Sequence, residues 1–99
     1  MTSYTVRVEL HGATNGQYDE LHEAMEAKGF VRWIKFQGAA KEQLPTAEYN
    51  MPGTSRTIEQ VHQRAEDAAK SVKPRPTPCV LTTKADGPRK TSGLKAWED

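Results

Sequence analysis

The 99-residue chain has one cysteine, Cys79, so it forms no internal disulfide and no cysteine-rich zinc site. It lacks any apolar run near the roughly 18–20 residues of a membrane span. No charged-then-apolar leader opens it, so a cytoplasmic location is expected. It also lacks an excess of charge of either sign. Fourteen Lys and Arg oppose thirteen Asp and Glu, a net charge of +1. That excludes a strongly basic nucleic-acid binder at the level of the whole chain and leaves room for a local basic patch. No glycine-rich phosphate loop is present, which disfavours nucleotide hydrolysis, and no Ser or Cys sits in a nucleophile-elbow context. The length fits one small domain.

What is present is periodic. In SYTVRVELH, Tyr4, Val6, Val8 and Leu10 alternate with Thr5, Arg7, Glu9 and His11, a strand with one apolar and one polar face. A helix follows, with Tyr18, Leu21, Ala24 and Met25 on one side. Thr14 with Gln17 has capping-box spacing, Asn15 is a rival N-cap, and Gly29 is the stop. FVRWIKFQ predicts a second strand with Phe30, Ile34 and Phe36 toward the core and Trp33 on the opposite face or at a partner surface. GAAKEQLP is expected to be a polar loop. TAEYNM predicts a short third strand with Ala47 and Tyr49 inward, and PGTS a turn. Ile58, Val61, Ala65, Ala68 and Val72 mark a second helix, opened by the Thr57–Gln60 capping spacing and ended by KPRPTP. CVLTTKA is the fourth strand.

The order β-α-β-β-α-β predicts an α+β fold: a ferredoxin-like sandwich with a four-stranded antiparallel sheet and both helices on one face. Residues 1–86 form the expected domain. Residues 87–99 form a tail, partly mobile or docked on a partner, which Leu94 and Trp97 are placed to pin. The uncovered sheet face is the place to look for function.

Arg7, Glu9 and His11 share that face. Glu9 and His11 are about 6.5–7 Å apart along the strand. A carboxylate, an imidazole and a guanidinium in one row suffice in principle for acid–base cleavage of RNA assisted by a ribose 2′-hydroxyl. The competing reading is a charged strand face paired with its neighbours. From Lys73 to Lys95, the cations Lys73, Arg75, Lys84, Arg89, Lys90 and Lys95 oppose only Asp86, a stretch suited to a phosphate backbone. The expected nucleic-acid contacts are Arg32, Trp33, Lys35, Lys84, Arg89 and Lys90, with Trp33 and Trp97 suited to stacking on unpaired bases. His22-Glu23 followed by Glu26 lacks the second histidine of a zinc-protease helix, so no metal site is expected. His22 and His62 read as residues at the edge of the core, and Cys79 as a buried inert thiol.

YTVRVELHGA, YDELHEAMEAKGFVRWI and LPTAEYN resemble, in order and spacing, a family of small bacterial and phage proteins grouped with the GhoS endoribonuclease antitoxins. The likeness covers residues 4–50 well and the rest loosely. It implies a ferredoxin-like fold similar to that of small CRISPR-associated ribonucleases, and an antitoxin that cleaves the messenger RNA of a membrane toxin. By position, the strand-one carboxylate of those ribonucleases falls on Glu9. The resemblance implies an antitoxin-like endoribonuclease acting on mRNA; for such an enzyme the row on strand one supplies the expected catalytic residues Arg7, Glu9 and His11, with Glu9 and His11 as the acid–base pair or a weak metal site and Arg7 and Arg32 on the scissile phosphate. The alternative is a non-catalytic interaction or RNA-binding module that dimerises. RNA and a second copy of the chain are the expected partners; no membrane contact and no small-molecule cofactor is expected.

Overall fold

A computed structural model describes residues 1–35, 39–85 and 87–98. Phe36, expected on the core face, and Asp86 lie outside them. The elements are β1 (Thr2–Glu9), α1 (Asn15–Ala27), β2 (Trp33–Ile34), β3 (Glu42–Gln43), β4 (Glu48–Thr54), α2 (Ile58–Val72) and β5 (Cys79–Lys84). The protein is α+β, with two helices and antiparallel strands.

Both helices start where local chemistry directs. The Thr14 side chain accepts from the Gln17 backbone while the Gln17 side chain accepts from the Thr14 backbone, and Thr57 and Gln60 repeat the arrangement. Each cap satisfies two donors that the helix start leaves free and is worth about 1 kcal/mol. At the end of α1, Gly29 takes φ +96°, a left-handed conformation that favours glycine. The Gly29 and Phe30 amides then donate back to Glu26 and Met25 carbonyls, both at 3.0 Å. Arg64 of α2 adds a donor to the Lys28 carbonyl at 2.8 Å.

The even residues of β1 build the core. Tyr4, Val6, Val8 and Leu10 pack with Leu21 and Met25 of α1, Val61, Ala65, Ala68 and Ala69 of α2, and Phe30, Tyr49 and Met51. Both helices therefore cover the same face. The small alanines of α2 let that helix lie close to the sheet.

The single four-stranded sheet expected from the sequence is instead a three-stranded sheet, β4-β1-β5, and a separate two-stranded one, β2-β3. The predicted second strand breaks at Arg32. Val31 still bridges Asn50 of β4, exchanging two hydrogen bonds of 2.8 Å, but Trp33 and Ile34 turn away to pair with Gln43 and Glu42. Phe30 and Ile34 thus do not share one core. Phe30 joins the helix-side cluster, while Ile34 and Leu44 border a cavity with Thr5 and Glu48 on the other side of the sheet. β3 arises inside the stretch expected to be a loop. The expected PGTS turn is the end of β4, and Ala47, expected in a strand, has φ +85° just before it.

Residues 87–98 lie against this second layer. The Gln43 amide donates to the Lys95 carbonyl (2.7 Å), and the Trp97 amide to the Lys41 carbonyl (3.0 Å). Ala96 bridges Glu42. Among the described residues no helix is long and apolar enough to cross a membrane.

Candidate functional site

The row on β1 forms as the pleat requires, because residues two apart point the same way. Arg7 and Glu9 are exposed, opposite the helices. His11 follows the strand end. Its position is fixed by the preceding residue: the Leu10 amide donates to the Tyr18 hydroxyl at 3.0 Å. Gly12, at φ +68°, then turns the chain toward α1.

Glu9 Oε1 lies 3.8 Å from His11 Nδ1, within ion-pair range but longer than a hydrogen bond. The two side chains keep 56% and 42% of their exposure, so this pair acts in a wet setting. The other ring nitrogen of His11, Nε2, lies 3.1 Å from Cys79 Sγ. Strand register brings the thiol there, because Glu9 pairs with Cys79 across the β1–β5 ladder and Arg7 pairs with Leu81. The thiol is exposed, not buried as its place after Pro78 suggested. Arg7, Glu9, Cys79, Val80 and Leu81 line a shallow depression of about 120 Å³. Arg7 makes no hydrogen bond or ion pair among the described residues. Sequence reasoning missed Cys79. The available signal was antiparallel pairing of the first and last strands, which sets Cys79 opposite Glu9.

The expected nucleic-acid contacts fall into two other places. Lys84, Arg89 and Lys90 border the cavity that also contains Thr5 and Leu44, and Lys35 lies beside Arg89 at its margin. Arg89 is partly taken up by the fold. Its Nη1 donates to Asn50 Oδ1 at 3.2 Å, its Nη2 is buried without a partner among the described residues, and desolvation lowers its pKa. Arg32 and Trp33 instead line a separate cavity of about 310 Å³ together with Trp97. Lys41 Nζ sits 4.3 Å from the centre of the Trp33 ring.

The remaining histidines have structural partners. His22 Nδ1 is 2.7 Å from the Tyr49 hydroxyl, and His62 Nδ1 is 2.7 Å from Thr82 Oγ1. Burial pushes the His22 pKa down, the Arg32 charge pushes it further down, and Asp19 opposes both. Burial also drives the Tyr49 pKa up, so that phenol keeps its proton. Among the described residues, no three His, Cys, Asp or Glu side chains converge closely enough to hold a metal ion. Compared with known proteins, the chain matches no family model, no curated sequence and no solved structure.

Proposed function

We propose that the chain is an endoribonuclease with an antitoxin-like role on mRNA, acting through Arg7, Glu9 and His11. The observation that carries the reading is the Glu9–His11 pair on an open sheet face, with Glu9 sharing a depression with Arg7, which has no polar partner among the described residues. A ferredoxin-like body is part of the proposal. The ladder β4-β1-β5, extended past β4 by the Val31–Asn50 bridge, has the strand succession that such a fold requires.

In this reading an RNA phosphate pairs with Arg7, and a ribose 2′-hydroxyl takes the place of the Cys79 thiol at His11 Nε2. The imidazole accepts the hydroxyl proton as O2′ attacks phosphorus and the P–O5′ bond breaks. The departing O5′ receives the proton back from the imidazolium. The products are a 2′,3′-cyclic phosphate and a free 5′-hydroxyl. Glu9 favours the protonated ring at the midpoint.

Incubation with a varied transcript pool, followed by end analysis, tests this. Fragments with cyclic phosphate ends are expected, and His11→Ala and Arg7→Ala each slow their appearance by about 10²-fold. No cleavage, or unchanged cleavage in both variants, overturns the reading. The 63% exposure of Leu81 on the same face favours a second reading, a non-catalytic module that dimerises there. Under that reading sedimentation shows a dimer that Leu81→Ser dissolves, and no RNA is cut.

A further inference from the structure

The cavity at the other end of the molecule has a different character from the catalytic row. Its floor is Phe30, which is buried. Two indoles border it, Trp33 from β2 and Trp97 from the C-terminal segment. These are the chain's only tryptophans. They come together because two backbone hydrogen bonds hold residues 95–97 alongside β3. The cavity is thus completed by a segment remote in sequence from its other walls.

Its polar groups are His22, Glu26 and Arg32. Arg32 Nε is buried with no hydrogen-bond partner among the described residues, although the Arg32 carbonyl accepts from the Leu44 amide at 2.7 Å. A buried guanidinium donor without a partner is costly unless something supplies an acceptor. Arg32 also borders the adjoining depression beside Lys95 and Trp97. The burial of His22 and the nearby Arg32 charge favour a neutral imidazole, leaving Arg32 as the cation facing the ligand and Glu26 as the anion.

A planar ring to lie against indole, an acceptor for Arg32 and a donor for Glu26 are the features of a nucleobase with its phosphate. At about 310 Å³ the cavity is at the lower end of small-ligand sites, suited to one base and not to a duplex. We propose that this cavity is a subsite for one unpaired nucleotide of an RNA strand, its base against Trp97 and Trp33 and its phosphate or a base carbonyl oxygen on Arg32. The proposal rests on the RNA reading for its biological ligand, but the pocket's affinity for a mononucleotide is independent of cleavage.

The test uses the full chain and the mononucleotides AMP and UMP, with adenosine and inorganic phosphate as separate arms. Binding is followed by tryptophan fluorescence and independently by amide chemical shifts. Saturable binding of the nucleotides is expected, weaker for adenosine and absent for phosphate alone. Trp97→Ala weakens it about tenfold. Arg32→Gln weakens AMP binding until it matches that of adenosine. No nucleotide binding, binding of phosphate equal to that of AMP, or full affinity in both Trp97→Ala and Arg32→Gln overturns the proposal. A chain that binds nucleotides here and cuts no RNA keeps this subsite and loses the catalytic reading; a chain that cuts RNA but binds no mononucleotide does the reverse.

Discussion

On the sheet face turned away from the helices, the β4 side and the β5 side have opposite fates. Asn50 on β4 is only 5% exposed, and the Arg89 guanidinium lies on it. Leu81 on β5 is 63% exposed, and Arg7 and Glu9 beside it are also open. The alternation of side chains is the same on both strands. What differs is a cover supplied by β2, β3 and residues 87–98, which extends over one half only. The covered half spends a cation on internal hydrogen bonding, whereas on the bare half Arg7 has no polar partner among the described residues. A proposed phosphate site is therefore better placed on the bare half, where the cation need not be withdrawn from the fold.

The sharpest way to break this comparison is to remove a polar group from each half. Asn50→Ala leaves both terminal nitrogens of the Arg89 guanidinium without a partner. It should cost about 1–3 kcal/mol in denaturant unfolding. Release of the C-terminal segment caps the loss, because Arg89 then regains water. Loss of amide protection at Gln43 and Trp97 would report that release. Leu81→Ser, on the bare half, should stay within about 0.5 kcal/mol of the parent. Equal costs for the two variants would show that the halves do not differ.

Cys79 sharpens the bare half further. Its thiol is exposed and touches only His11 in the hydrogen-bond pattern of the described residues. A small aromatic disulfide should react with it in native buffer at a rate within about tenfold of the unfolded chain. A buried thiol would wait for unfolding and react about 10³-fold or more slowly. The reaction leaves a bulky group against His11, so it should also stop RNA cleavage, while Cys79→Ser should retain it. Native thiol reactivity without any effect on cleavage would detach Cys79, and with it His11 Nε2, from the proposed site.

The parts of this arrangement that the sequence made legible are those encoded within one turn or one pleat. Thr14–Gln17 and Thr57–Gln60 each specify a cap within four residues, and the stripe Val61, Ala65 and Ala68 needs only its own helix to be recognised, although Ile58, expected to open it, is exposed. The alternation from Tyr4 to Glu9 was equally local, and it placed Arg7 and Glu9 correctly on the outer face. The rest depends on distant partners. β3 is two residues long and exists because Trp33–Ile34 and residues 95–97 flank it. In CVLTTK, the alternation alone admits Cys79 and Leu81 inward, the more apolar choice. The β1 ladder decides otherwise: Val80 pairs with Val8 and Thr82 with Val6, and Thr82 meets His62. Cys79 is therefore turned out beside His11, a result of register between strands some 70 residues apart in sequence.

The smallest expected effect lies on the opposite, helix-packed side of β4, at His22 of α1, whose ring meets the Tyr49 hydroxyl. Its folded pKa lies below the ordinary value of 6.5, first because it is partly buried and then because Arg32 is near. Above that value both folded and unfolded chains hold it neutral, and it contributes no pH dependence. As the pH falls through 6.5 the unfolded chain takes up the proton first, so the fold loses stability until the lower folded pKa is passed. His22→Gln should flatten that acid limb relative to the parent while leaving stability at pH 8 nearly as it was. Arg32→Gln should move the His22 titration, followed by its ring proton shifts, upward without restoring it fully, because burial is the larger cause. If Arg32→Gln leaves the His22 titration where it is in the parent chain, the Arg32 charge does not reach it. The guanidinium would then be directed away from the cavity where a nucleotide phosphate is proposed to meet it.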